Sequence, residues 1–232
     1  MQKAPFLSSL FVTLALFPAR ADLTIVEKID GSSNDQMTIK IKGDKARIDA
    51  SPRMTTIIDA KSGEIIHVIN DHKMFLRVPA EKLRAAMEMM NKSAGTSATP
   101  AAKPKLVPTG KKETVNGYET EQYTCETPRL KATYWIAPKY PDGSAILQQL
   151  KILNATAWKP QNAQLPDYTD FPGIPLKFSI AQGGREITTT LATIKEDPLS
   201  DSDFAVPNGF QEMKAPQTPI GKPLPSIQQP SP

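Results

Sequence analysis

From Leu23 to Val78 apolar and polar residues alternate in short runs. In QMTIKIKG, Met37, Ile39 and Ile41 alternate with Thr38, Lys40 and Lys42. That is the period of two expected of a strand with one buried and one wet face. LTIVEKI precedes it, and KARIDA, MTTIIDA, EIIHVIN and KMFLRV follow. Gly43-Asp44, Ser51-Pro52, Ser62-Gly63 and Asp71-His72 supply turns between them. Six short strands with no helix between them predict an antiparallel meander, because parallel neighbours need long crossovers.

The period then changes. In PAEKLRAAMEMMNK, Leu83, Ala86, Met87 and Met90 fall on one helical face, with Pro79 before the start and Glu81 in the first turn. Residues 92–106 lose periodicity and read as a flexible loop. A second sheet segment is expected from Lys111 to Ala137. A second helix is expected in PDGSAILQQLKILNATAW, with Asp142 as its cap and Ile146, Leu150, Leu153 and Ala157 as its stripe. Residues 159–172 read as loop.

Two hairpins can be registered from their turns. Gly183-Gly184 suits a two-residue turn with both φ angles positive, so residues summing to 367 pair. Ile180 then faces Ile187, Phe178 faces Thr189 and Leu176 faces Leu191, giving one apolar face. Asn116-Gly117 is a stronger turn signal, and residues summing to 233 pair. Val115 faces Tyr118, and Lys112 faces Glu121 as an opposite-charge pair. Tyr123 and Cys125 fall on the Glu121 face. The whole pattern predicts an α+β, mainly β, fold: a large antiparallel sheet whose apolar side two helices can cover.

The chain ends add a location. Lys3, the apolar run from Phe6 to Phe17 and the small-x-small site Ala19-Arg20-Ala21 make residues 1–21 a secretory signal peptide, cut after Ala21. The run is too short to span a bilayer, so no transmembrane anchor is expected after cleavage. The expected location is periplasmic or secreted. Cleavage removes Lys3 and Arg20, so 28 basic residues become 26 against 24 acids and the net charge falls from +4 to +2. Without a basic run or interleaved aromatics, nucleic acid is not an expected partner. Residues 215–232, rich in proline, read as a disordered tail that can serve an envelope protein partner. Residues 22–214 remain as a single domain with a sizeable core.

No stretch names a reaction. Cys125 is the only cysteine, so an internal disulfide is impossible. As a nucleophile it needs a base, and His67 and His72 are both distant in sequence. His67 alternates with Ile65 and Ile69 and His72 sits in a turn, so no catalytic residue is assigned. One cysteine and two histidines lack metal-ligand spacing, and no metal or cofactor is expected. DPLSDSD lacks the glycine of a calcium loop and reads as a capped turn before Phe204. Met87, Met89 and Met90 crowd one helix; methionine is common on surfaces that accept varied apolar partners and in ordinary cores alike.

FAVPNGFQEM, TGKKETVNGYETEQY and WIAP carry a resemblance. Together they resemble an uncharacterised bacterial envelope family, filed as a domain of unknown function and similar to the LolA/LolB-like and LppX-like periplasmic lipoprotein carriers. The resemblance implies a strongly curved antiparallel sheet, a half barrel, covered on its concave side by the two helices. Its relatives often place a cysteine after G-Y-x, where this chain has Thr120. Three functions follow. The first is a non-enzymatic binding protein carrying a lipid, acylated or other apolar ligand between sheet and helices, lined by Leu83, Met87, Met90, Leu150 and Phe178. The second is an envelope adaptor with no ligand. The third is a Cys125-dependent enzyme.

Overall fold

The computed structural model describes residues 21–30, 36–93, 104–127, 130–154, 165–182 and 185–213, with backbone alone at 87, 90–93, 130, 182 and 185. The expected signal peptide up to Arg20, residues 94–103 of the expected loop, Ala157, the Gly183-Gly184 turn and the tail from 215 lie outside them.

The meander forms as the alternation requires: β1 Leu23–Asp30, β2 Gln36–Lys42, β3 Lys45–Ser51, β4 Met54–Asp59, β5 Glu64–Ile69 and β6 Met74–Val78. Helix α1 spans Ala80–Ser93, taking in the first residues assigned above to the loop. β7 Val107–Val115 starts earlier than the pattern indicates; β8 Tyr118–Thr127 and β9 Leu130–Ala137 follow. Helix α2 covers only Gly143–Leu150 and tightens into a 3-10 turn over Lys151–Leu153, a common way to satisfy the last carbonyls. Asp142 stands at its N-cap in the left-handed region, φ 52°, with no side-chain cap hydrogen bond. β10 Ile174–Gln182, β11 Arg185–Lys195 and the short β12 Gln211–Glu212 complete the elements.

All described strands join one open sheet in the order β12-β6-β5-β4-β3-β2-β1-β11-β10-β9-β8-β7. It departs from a purely antiparallel sheet at one edge, where β12 pairs parallel with β6. The hairpin registers are those the turns dictate: Lys112 opposite Glu121 and Val115 opposite Tyr118, then Phe178 opposite Thr189 and Ile180 opposite Ile187. β1 lies between β2 and β11, so the pairing of Thr24 with Lys195 joins the two ends of the domain.

The two helices are not equivalent. Ile146, Leu147 and Leu150 of α2 are buried in the main core with Leu23, Ile25, Ile41, Ile48 and Leu191. On α1 only Ala80 and Leu83 reach even half-burial among the described side chains, and Ala86 is exposed. Glu81, Lys82, Arg84 and Glu88 are exposed, while the side chains of Met87 and Met90, half of the expected apolar stripe, lie outside the described residues. The opposite face of the sheet carries a smaller cluster of Ile57, Ile66, Val68, Phe75 and Phe204.

Candidate functional site

One cavity of about 150 Å³ lies between the sheet and the layer formed by α2 and its following turns. β1 contributes Ile25 and Glu27, β9 Tyr134, and β10 Ile174, Phe178 and Ile180. Leu150 and Leu153 close it from the α2 side, and Tyr168 and Phe171 from the 3-10 turn Tyr168–Asp170 and the residue after it. Asp167 caps that turn through a reciprocal capping box with Asp170, which fixes the entry of the chain beneath the sheet.

Two irregularities aim the lining. The β1–β11 register passes from Val26–Thr193 to Glu27–Leu191, so Ala192 is an extra residue on β11. This bulge brings Leu191 and Ile194, three apart in sequence, into the same cavity wall, opposite Glu27 and Ile25. A similar shift between Pro175 and Lys177 makes Leu176 the extra residue on β10. Gly173 permits the approach to that strand: a Cβ there would stand 2.3 Å from the Ala137 carbonyl oxygen.

The aromatic side chains form a connected group. Tyr134 meets Phe171 edge-on at 5.1 Å between ring centroids and lies 6.2 Å from Phe178. Tyr168 lies 6.1 Å from Phe171. Burial holds the Tyr134 and Tyr168 hydroxyls protonated well above their ordinary range, and the nearby Glu27 carboxyl adds to this at Tyr168. Glu27 is half-buried among apolar neighbours, and desolvation pushes its carboxyl up to about 7. Among the described residues no hydrogen bond or ion pair reaches that carboxyl.

Of the residues expected to line a ligand site, Leu150 and Phe178 meet in this cavity. Leu83 is half-buried on α1 and is not part of the wall, while the Met87 and Met90 side chains lie outside the described residues. Sequence reasoning missed Glu27, Tyr168 and Phe171. Glu27 did leave a signal: it occupies the inward column of LTIVEKI after Leu23 and Ile25, where an apolar residue is expected.

The other candidates take structural places. Cys125 is buried, and desolvation raises its thiol. His67 on β5 is separated from β8 by seven intervening strands and sits against the Thr56 hydroxyl at 3.2 Å, and among the described residues no hydrogen bond joins it to Cys125. Thr120 is fully buried and its hydroxyl donates to the Glu113 carbonyl at 2.6 Å. DPLSDSD forms the 3-10 turn Asp201–Phe204, capped by Ser200. Two of its three acids are engaged by lysines: Lys40 to Asp203 at 2.7 Å and Lys42 to Asp201 at 2.9 Å. Among the described residues no three His, Cys, Asp or Glu side chains are grouped to hold a metal. Among them, too, no helix is long and apolar enough to cross a membrane.

Among solved structures, the chain is similar to PNGF-II at 11% identity and a TM-score of 0.42, covering 84% of this chain and 32% of that one. It thus spans about a third of PNGF-II's length. It is also similar to the Mycobacterium tuberculosis lipoprotein LppX, at 12% identity and a TM-score of 0.36, covering 78% and 88% of the two chains. LprF from Mycobacterium bovis shows 13% identity and a TM-score of 0.33 over 83% and 90%. No curated protein sequence matches the chain. Residues 21–210 match the family described as "Domain of unknown function (DUF4412)", and the chain belongs to that family.

Proposed function

We propose that this protein is a non-enzymatic binding protein that holds an apolar or lipid-like group between the sheet and the α2 layer. The observation that carries the reading is the cavity itself, whose wall among the described residues is apolar apart from Glu27, Asn154 and the tyrosine hydroxyls. Natural cores are packed with few voids larger than a water molecule. A space of roughly 150 Å³ is enough for a benzene-sized group. The volume suits a ring or a short chain; a full acyl chain requires the layer of α2 and residues 165–171 to move outward. Apolar burial, about 25 cal/mol per Å², is the driving force.

Curling of the sheet toward a half barrel fits the same reading. The Asn116 side chain, in the β7–β8 turn, donates to the Leu191 carbonyl on β11. β8 and β11 are three strand spacings apart, roughly 14 Å in a flat sheet. That contact supports bending of the sheet around its apolar face. In this reading the leader-like residues 1–21 deliver the protein to the periplasm or the exterior, and the apolar group is taken up there.

The test is solvent extraction of the purified protein with mass spectrometry, followed by titration with a fluorescent naphthalene probe. An apolar species should be recovered, and probe binding should fall sharply in Ile180→Trp, whose indole fills the cavity. Absence of both an extracted species and probe binding overturns the proposal. So does probe affinity that Ile180→Trp leaves unchanged.

A further inference from the structure

The cavity is apolar but not electrostatically blank. Glu27 enters its wall from β1 with no protein partner among the described residues, and four aromatic rings stand in the same wall. We propose that the site selects an organic cation: a ligand with an apolar body and an ammonium or quaternary ammonium head, held by Glu27 and the rings of Tyr134, Tyr168, Phe171 and Phe178. This rests on the cavity being a binding site and specifies what it binds.

The chemistry follows from what surrounds Glu27. Across β1 it faces Leu191 on β11 and Met37 on β2. From β9 and the 168–170 turn the titratable neighbours are Tyr134 and Tyr168, both held neutral by burial. From β10 come Pro175, Phe178 and Ile180, and from the α2 layer Leu150, Leu153 and Asn154. No lysine, arginine or histidine lines the cavity among the described residues. A carboxylate so placed repels anions and leaves a fatty acid's own carboxylate without a partner.

A cation reverses the balance. It offsets the desolvation that burdens the Glu27 charge, and its head can lie against ring faces whose quadrupole is negative. Aromatic walls with a nearby carboxylate are well suited to quaternary ammonium groups, which are cationic and poorly hydrated and donate no hydrogen bond. The rings here are close enough to act together, with centroid separations of 6.2, 5.1 and 6.1 Å along the chain Phe178–Tyr134–Phe171–Tyr168. A cation also holds Glu27 ionised, so affinity depends on pH through this carboxyl: it is full above the carboxyl's raised titration range and falls as the group protonates below it.

Three probes sharing one ring test this: benzyltrimethylammonium, neutral benzyl alcohol and phenylacetate. Binding to the full chain is read by NMR shifts of the Ile25, Leu150, Leu191 and Ile194 methyls, all in the wall. At pH 8 the cation should bind about tenfold tighter than benzyl alcohol and phenylacetate weakest, a gap in the range of one ion pair with cation–π contact. The cation's advantage should shrink at pH 5.5. In Glu27→Gln the preference at pH 8 should fall to what the wild type retains at pH 5.5 and should no longer change with pH. If benzyl alcohol binds but the cation is no better, or if Glu27→Gln keeps the wild-type preference at pH 8, the cation assignment is overturned and the cavity reading stands. If no probe shifts the methyls, both are overturned.

Discussion

The two faces of the sheet treat charge in opposite ways. On the face away from α2, acids come with partners: Lys40 reaches Asp203, Lys42 reaches Asp201, and Arg47 holds Asp49 while its guanidinium donates to the Asp203 carbonyl. These contacts hold the Asp201 and Asp203 carboxyls below the usual carboxylate range. They strap residues 199–210 across the strands over Phe204 and its cluster. On the α2 face Glu27 has apolar neighbours and no such partner, and its carboxyl is pushed the other way. One face spends its charges on holding the chain together; the other keeps one charge available beside a void. The difference separates acids tied into the fold by cations from an acid with no ion-pair partner among the described residues.

The largest effect expected on this contrast comes from the strap. Phe204→Ala should destabilise by about 3–5 kcal/mol in denaturant unfolding, because Phe204 is buried against Ile57, Ile66, Val68 and Phe75. A loss below about 1 kcal/mol, the size of an ordinary surface change, removes the strap from the account of stability. Next is Glu27→Gln, which should stabilise. A folded carboxyl raised from 4.5 to about 7 binds its proton more tightly than the unfolded chain does. Wild-type stability therefore falls as pH rises from about 4.5 to 7, and the variant escapes this, gaining at most about 3 kcal/mol above pH 7. A gain that does not change with pH refutes the assignment to this carboxyl.

Asp203→Asn carries the opposite sign. It weakens the Lys40 pair and the 3.0 Å hydrogen bond from the Ser200 N–H, and should cost about 1–2 kcal/mol at neutral pH. Its folded carboxyl is lowered, so the wild-type advantage is present above the usual carboxylate range and disappears as pH falls through the folded value. Equal losses at pH 7 and pH 2 contradict the pairing. The smallest effect belongs to α1: Met89→Gln, at a half-exposed position, should change stability by no more than about 0.5 kcal/mol. A loss of several kcal/mol would return α1 to the core.

Much of this frame was legible along the chain. The period-two runs located β1 to β6, and the Asn116-Gly117 and Gly183-Gly184 turns dictated registers that the sheet adopts from Lys112 to Tyr118 and from Lys177 to Thr190, though the first shifts between Pro108 and Lys112 and the expected Leu176–Leu191 pair is not in the second. Local geometry and a buried face both constrain such pairs, and both are written in adjacent residues. The Ile146–Leu150–Leu153 stripe and the capped turn at Ser200 were legible for the same reason. What pattern could not supply was long-range. The same alternation in β1 fits any neighbour, so its pairing with β11 has no local signature. The bulge at Ala192, which brings Leu191 and Ile194 into one wall, depends on that pairing and stayed hidden with it. Nor could helical spacing alone show that α2 enters the main core, because burial depends on which strands face the helix.

The position of β1 also bears on the order in which the molecule can assemble. Its outer partner is β11, the last long strand described, so the meander of β1 to β6 leaves the ribosome with β1 as a bare edge. That edge carries Ile25, Val26 and Ile29 and waits for most of the remaining sequence before β11 can cover it. Contacts of such high sequence separation slow folding and lengthen exposure of an unpaired strand. A chain built this way benefits from holding off compaction until β11 has been made, because an early, half-paired sheet is the species most open to pairing with another copy.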